Sequence, residues 1–505
     1  MTTLTEIGRS VFSRAALTWR AKGRNDIVLG TPVSPYPRSE YRLTPATQRY
    51  HTLCLGTTGM GKSKLLQSIC VQHIMKGHAV GLLDPHGQTA RDTLAYLTAQ
   101  GYFERPDAFE RLVYLRFGGD SDRTIPFNVL RQPHQAAEDI AENLRDAFTR
   151  VWPELTEQAV FGSIFPSAIV ALVASRRSLV DLPRLLRDKE FRDQCAASIS
   201  NPTVLQALSL VDAQRGDAAA GPLGATIRRV FEMTFHPVAY HALGQPDTVL
   251  DFRKLMDAGR SVLLDFGDVR NDLTKRFLAA LCLTLIERAA LSRSDMPPSA
   301  MTPATYLIDE WPAIAPTQRT TLENILSQAR KYKLALTLVG QHADQINAAN
   351  LGGALDNCRL TILMGLGRRS AEILAPLVTQ LEPSRPNDRY GREDRPPSMA
   401  QQKATWVSGL QDLPPRHAVV KAQGEEAVLI RTLTVRDPDR EAIRAPLEAV
   451  MDEYRRRYTR PVAEGPRSAP DTPRTPAGAG AAPSPAPRPT RFVDDDEPVF
   501  GDPIG

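Results

Sequence analysis

Apolar residues along this chain follow two rhythms. Short unbroken apolar runs recur at 51–55 (HTLCL), 78–83 (HAVGLL), 111–117 (RLVYLRF), 261–268 (SVLLDFGD), 304–310 (ATYLIDE), 334–340 (LALTLVG) and 357–366 (NCRLTILMGL). Runs of this length without alternation predict strands buried on both faces. Between several of them the spacing is helical. Leu65, Leu66, Ile69, Val71 and Ile74 fall mostly on one side of a helix over 64–75. A helix over 275–291 follows the 261–268 strand, and Leu322, Ile325, Leu326 and Ala329 mark one face of another over 318–331. Strands alternating with helices predict an α/β domain around a parallel sheet.

From 134 to about 249 the strand rhythm stops. Helical periodicity takes over, broken by Pro153, Pro166, Pro183, Pro202, Pro222 and Pro237. This stretch reads as an all-α insert of roughly 110 residues, a normal domain size. Its arginine clusters (Arg176, Arg177, Arg184, Arg187, Arg228, Arg229) are either solvated helix faces or phosphate contacts. Residues 25–50 predict short strands and turns. Order is expected to decline after about 436, although 437–457 has helical composition. Residues 460–490 are rich in Pro, Ala, Gly and Arg, a composition that does not pack.

Both ends carry charge with aromatic or apolar company. Leu4, Ile7, Val11 and Ala15 share a helical face within a basic segment that holds Arg9, Arg14, Arg20, Lys22 and Arg24 against Glu6. Such a helix can dock on the protein's own core or lie on an anionic membrane surface. The far end sets Asp494, Asp495, Asp496 and Glu497 between Phe492 and Phe500, either a docking peptide for a basic partner or an inert tail.

Composition adds limits. The 505 residues are 42% hydrophobic and 24% charged, ordinary for a soluble chain of several domains. A net charge of +5 leans weakly toward a polyanionic partner. The five cysteines contain no C-x-x-C pair, so buried thiols in a reducing compartment are expected, with no zinc site. No apolar stretch reaches the ~20 residues that a bilayer demands, and the start shows no signal-peptide block. The expected location is cytoplasmic, with at most peripheral contact at the inner face of the membrane.

The chemistry begins at 56–63, where GTTGMGKS fits G-x-x-x-x-G-K-[ST] between a strand and a helix. Gly56, Thr57, Thr58, Gly59, Met60, Gly61, Lys62, Ser63 and the following Lys64 form the expected phosphate cradle. Glycines let backbone N–H groups turn inward, and the helix N-terminus adds positive polarity. Lys62 can reach the β- and γ-phosphates, and the Ser63 hydroxyl can ligate Mg²⁺. The cofactors implied are ATP and Mg²⁺.

A strand ending in Asp309-Glu310 supplies the other half of an ATPase site: Asp309 on Mg²⁺ and Glu310 polarising the attacking water. Asp84 ends the 78–83 strand and either helps hold the metal or builds a D-P-x-G turn. Gln341 closes the 334–340 strand and can sense a γ-phosphate by hydrogen bonding. Arg330 is a candidate arginine finger or a helix-end cation. Arg359, Arg368 and Arg369 are alternatives.

Together, GTTGMGKS, LLDPHG, LIDEW, QARKYKLALTLVGQ and LDNCRLTILMGL resemble the HerA/FtsK superfamily of DNA-pumping ATPases. Within it the chain is similar to TraG/TraD-type conjugative coupling proteins of type IV secretion, over roughly residues 45–435. The resemblance implies a RecA-like P-loop NTPase sheet with an inserted all-α domain. The expected division is 1–45 lead-in, 46–130 and 251–435 ATPase, 131–250 insert and 436–505 tail. It also implies a homo-oligomeric ring, hexameric, with ATP at subunit interfaces and DNA in a central channel. Arg330 would then act on a neighbour's ATP, and Gln341 would couple γ-phosphate state to movement. Relaxase or secretion-channel proteins are implied partners. Two other functions stay open: a soluble DNA-processing or packaging ATPase, and an ATP-dependent DNA-binding switch or scaffold.

Overall fold

The computed structural model describes residues 23, 25–33, 40–213, 222–314, 326–343, 348–378 and 398–462. The basic helix expected at the start, most of the 318–331 helix and the acidic tip lie outside these residues. The strands in chain order are β1 Ile27–Pro32, β2 Tyr41–Leu43, β3 His51–Leu55, β4 Ala79–Asp84, β5 Leu112–Arg116, β6 Arg123–Thr124 and β7 Ser261–Asp265. They continue with β8 Ala304–Ile308, β9 Leu334–Gly340, β10 Cys358–Leu363, β11 His417–Ala422, β12 Val428–Thr432 and β13 Arg460–Pro461.

Among the described residues, eleven strands form one sheet in the order β2-β1-β12-β11-β10-β3-β9-β8-β4-β7-β5. Every neighbouring pair from β10 to β5 is parallel. The four strands on the other side are antiparallel. The unbroken apolar runs have their reason here. Every residue of β3, β4, β7 and β9 is buried, because helices cover both faces of a parallel sheet. Parallel order also sends the carboxyl ends of β3, β9, β8 and β4 to one edge, where ligands bind in open α/β sheets.

The insert is helical, as expected, but it does not stand apart. Its first helix, Ala137–Val151, packs on Ala159–Ala174 and on the long Asp272–Leu291 helix behind the sheet. Phe148, Trp152, Phe161, Phe165 and Phe277 interlock there, with ring centroids 4.6–6.3 Å apart. One apolar core runs from the sheet into the insert. Several of its arginines are spent locally. Arg177 and Arg184 lie over the Phe191 ring, Arg187 lies over Phe231, and Arg229 pairs with Glu154 and Glu232.

Described structure continues past 436 as far as 462, and a helix lies within the stretch of helical composition. The Arg444–Tyr458 helix docks on β5 and on the Gln88–Ala99 helix. Tyr454 is the anchor: its ring sits among Phe103, Phe109, Tyr114 and Tyr458, and its hydroxyl donates to the Leu112 carbonyl at 2.8 Å. β13 then pairs with β6. Leu447, Val450, Met451 and Tyr458 line up with Tyr454 on one helical face and pack on the same core.

One buried ion pair joins insert to sheet domain. Arg150 on the first insert helix donates to Glu287 on the Asp272–Leu291 helix at 2.5 Å, with side chains only 2% and 4% exposed. Burial pushes the Glu287 carboxyl up, and Arg150 opposes that shift. Removing one partner strands a buried charge, which destabilises by about 3–5 kcal/mol, whereas an apolar pair is near neutral. Arg150→Met is expected to lower unfolding free energy in urea by that amount, and Arg150→Met with Glu287→Leu to recover most of it.

Candidate nucleotide site

The glycine loop leaves β3 and enters the Lys62–Met75 helix. Gly59 and Gly61 take left-handed backbone conformations, φ +83° and +99°, which side chains rarely adopt. The neighbouring strands moor the loop. Gly56 N–H donates to the Gly340 carbonyl at 3.3 Å, and Thr57 N–H to the Gly365 carbonyl at 2.8 Å. The Thr57 hydroxyl also donates to Gly365, at 2.9 Å. Lys62 Nζ donates to the loop's own carbonyls, Gly56 at 2.5 Å and Thr57 at 3.0 Å. Burial lowers its pKa, and the nearby acids Asp309 and Glu310 work against that. Lys64 points elsewhere, paired with Asp92 and Asp437. Its expected part in the cradle is left to its backbone.

Across from the loop, Asp309 and Glu310 follow β8. Glu310 is held in a left-handed conformation, φ +49°, and its N–H donates to Asp309 Oδ1 at 3.1 Å. Gln341, just past β9, donates from Nε2 to Glu310 Oε1 at 2.7 Å. Thr58 on the glycine loop donates its hydroxyl to Gln341 Oε1 at 2.9 Å. A continuous chain, Thr58–Gln341–Glu310, therefore joins the phosphate loop to the acid. His86 approaches the same Glu310 oxygen at 3.9 Å. His86 and then Gln341 hold the Glu310 carboxyl below its usual range, and Glu310 in turn raises His86.

Asp84 had two roles open, and its contacts fill the turn role. Oδ1 accepts from the N–H groups of His86 and Gly87, and Oδ2 from that of Ala90, so it caps the Gln88–Ala99 helix. It still shapes the field. Burial first, then the Asp84 and Glu310 charges, push the Asp309 carboxyl up to about 6.

These residues fit a magnesium nucleotide. The Lys62–Met75 helix has no side-chain cap and no acid in its first turn, which leaves its N–H groups to an anion. The crowded carboxylates call for a cation. Among the described residues no group of three or more His, Cys, Asp or Glu could hold a metal alone. Mg²⁺ bound by one or two protein oxygens plus phosphates asks for no such group. Ser63 and Asp309 would supply those oxygens.

No protein-family model matches this chain, and no curated protein matches it. Solved structures do. TrwB, a plasmid coupling protein, in complex with ADP and Mg²⁺ is 15% identical with a TM-score of 0.54, over 83% of this chain and 92% of that one. TrwB with the GTP analogue GDPNP gives 16% and 0.55 over the same shares. VirB4 of Thermoanaerobacter pseudethanolicus gives 15% and 0.50, over 81% of this chain and 96% of that one. The fold is that of the conjugative coupling proteins. The resemblance read from the motifs thus holds at the level of fold, P-loop sheet and helical insert included.

On this coupling-protein fold the remaining candidates separate by edge. Arg330 precedes β9 and Arg359 begins β10, so both lie at the amino end of the parallel strands. They flank one ring, with guanidinium carbons 5.3 and 5.6 Å from the Tyr50 centroid. The glycine loop is at the other end, roughly 15 Å away along five residues of β3. Arg330 therefore cannot serve the site of its own chain. Arg368 and Arg369 open the helix after β10, on the loop's edge, where Arg368 pairs with Glu372.

Two site residues escaped sequence reading. His86 carried a signal, standing two places after a strand-ending acid. Arg416 carried none; it lies against the glycine loop only because β11 runs antiparallel beside β10.

His51 secures the Arg330 edge. Its Nε2 hydrogen-bonds the Leu326 carbonyl at 2.7 Å, and its Nδ1 accepts from Leu336 N–H at 2.9 Å. The ring is thus a neutral tautomer, and burial pushes its pKa from 6.5 to about 4. A folded pKa below the unfolded one stabilises fully above pH 6.5 and is lost as pH falls toward 4. That window is worth on the order of 3 kcal/mol. His51→Gln is expected to flatten this acid-side loss by that amount in urea titrations across the window.

Proposed function

We propose that the chain is an ATP-hydrolysing motor that moves DNA, working as a coupling protein in conjugative transfer or type IV secretion. The observation that carries the hydrolytic part is the hydrogen-bonded chain Thr58–Gln341–Glu310. It ties the loop that holds the phosphates to the carboxylate that polarises water. Lys62 leaves the Gly56 and Thr57 carbonyls to meet the β- and γ-phosphates. Ser63 and Asp309 would hold Mg²⁺, which would supply charge neutralisation on the phosphoryl oxygens. Gln341 bridges loop and acid, so a γ-phosphate entering between them changes its partners; that is how nucleotide state would reach β9.

Arg330 supports a shared site. It stands at the far edge of the sheet from its own loop, which suits a finger acting in a neighbouring subunit of a homo-oligomeric, hexameric ring. The likeness to TrwB supports DNA as the moved substrate, with relaxase or channel proteins as partners. Among the described residues no helix is long and apolar enough to cross a membrane; the membrane contact proposed is peripheral. The Gln341–Glu310 hydrogen bond beside the glycine loop favours a hydrolytic motor over a passive scaffold, which has no use for a polarising acid.

Glu310→Gln is expected to keep nucleotide binding while slowing turnover about 10²–10⁴-fold. Arg330→Ala is expected to lower kcat by about 10³-fold or more. Mixing Arg330→Ala with Lys62→Ala subunits restores DNA-stimulated hydrolysis that neither shows alone. Hydrolysis by Glu310→Gln at the wild-type rate would sink the catalytic assignment, and no rescue on mixing would sink the shared site.

A further inference from the structure

The glycine loop sets which way a nucleotide runs. Its γ-phosphate end faces Asp309, Glu310 and Gln341, which belong to β8 and β9 on one side of β3. The nucleoside end must then extend to the other side of β3, toward β10 and β11. Arg416 stands there, immediately before β11.

Arg416 is bound into the loop from behind. Its N–H donates to the Met60 carbonyl at 2.8 Å. Its Cγ lies 3.2 Å from where a Cβ on Gly61 would be. The backbone is left-handed, φ +65°, a conformation that disfavours an arginine by ~1–2 kcal/mol. Glycine would make the Met60 bond without that strain, so the side chain is what this residue adds. Its Nη2 is braced by the Thr432 carbonyl at 3.3 Å and by the Thr434 hydroxyl. Among the described residues, Nε and Nη1 meet no protein acceptor, which leaves these donors for a ligand.

The chain beyond Thr434 is held close to the same loop. Past Thr434 the chain crosses the start of the Lys62–Met75 helix. Asp437 pairs with Lys64, and Arg440 pairs with Asp92 at 2.5 Å. The segment thus passes beside the first helical turn and reaches the Gln88–Ala99 helix.

Resting on the nucleotide-binding reading above, we propose that the Arg416 guanidinium holds the nucleoside of the bound nucleotide. It lies against the face of the base and donates to sugar or base acceptors, with Thr434 fixing its plane. A planar, forked cation suits that task where an ammonium does not.

Inorganic tripolyphosphate separates nucleoside from phosphate recognition. Calorimetric titration of the full chain with ADP and with tripolyphosphate, both with Mg²⁺, is expected to show binding of each. Arg416→Gly keeps the backbone bond and relieves strain, so its Tm should not fall. It should weaken ADP about tenfold, the size of a charge-assisted contact, and leave tripolyphosphate within about twofold. Arg416→Lys should also weaken ADP. Arg416→Asn, which tolerates the left-handed backbone, replaces the glycine variant if that one fails to fold. An equal loss for both ligands would reduce Arg416 to a prop for the loop and overturn the proposal. So would unchanged ADP affinity. Failure of the unaltered chain to bind either ligand would overturn the nucleotide-binding reading itself, and this proposal with it.

Discussion

Parallel pairing from β10 to β5 brings the ends of β3, β9, β8 and β4 to one edge, spaced by the sheet's own hydrogen bonds. Successive strands lie about 4.8 Å apart, so Gly56, Gln341, Asp309 and Asp84 end up as near neighbours without any side chain arranging them. The mooring of Gly56 on Gly340 and Thr57 on Gly365 continues the strand ladders into the loop. A phosphate cradle made of backbone donors works only if the backbone does not move. Here the flanking strands hold it.

That edge concentrates charge in a buried place. Asp309, Asp84 and Asp265 end three adjacent strands, and each is relieved differently. Asp84 is surrounded by three backbone N–H groups. Asp265 is bound by Arg91 at 2.7 Å, by the Tyr114 hydroxyl at 2.7 Å and by Gly267 N–H at 2.8 Å. Asp309 accepts only from its neighbour's N–H among the described contacts, and its pKa is the one lifted to about 6. The acid left under-compensated is the one suited to a cation. Burial raises Asp84 as well, but its oxygens are taken by backbone N–H groups, and those of Asp265 by Arg91, Tyr114 and Gly267.

The helical insert and the closing segment both complete the sheet rather than extend from it. The insert covers one face through an aromatic cluster and one buried ion pair. On the other face the closing segment crosses the phosphate-loop helix, where Asp437 meets Lys64, and docks on the Gln88–Ala99 helix and β5.

What the amino-acid order determined alone was local. Fully apolar runs announced buried parallel strands, because burial on both faces removes alternation. The 56–63 motif announced an anion cradle, because only glycines permit its backbone and a helix must follow. Asp309, Glu310 and Gln341 stood out as polar residues closing apolar strands. Tertiary structure decided the rest. Asp84 became a cap once the Gln88–Ala99 helix presented its N–H groups, and Lys64 turned to Asp437, 373 positions away. The 444–458 helix found its slot on β5, and Arg416 came to the glycine loop. These partners are distant along the chain, and no spacing rule connects them. Which of several polar neighbours a charged side chain meets depends on strand order and direction, set by packing the whole sheet at once.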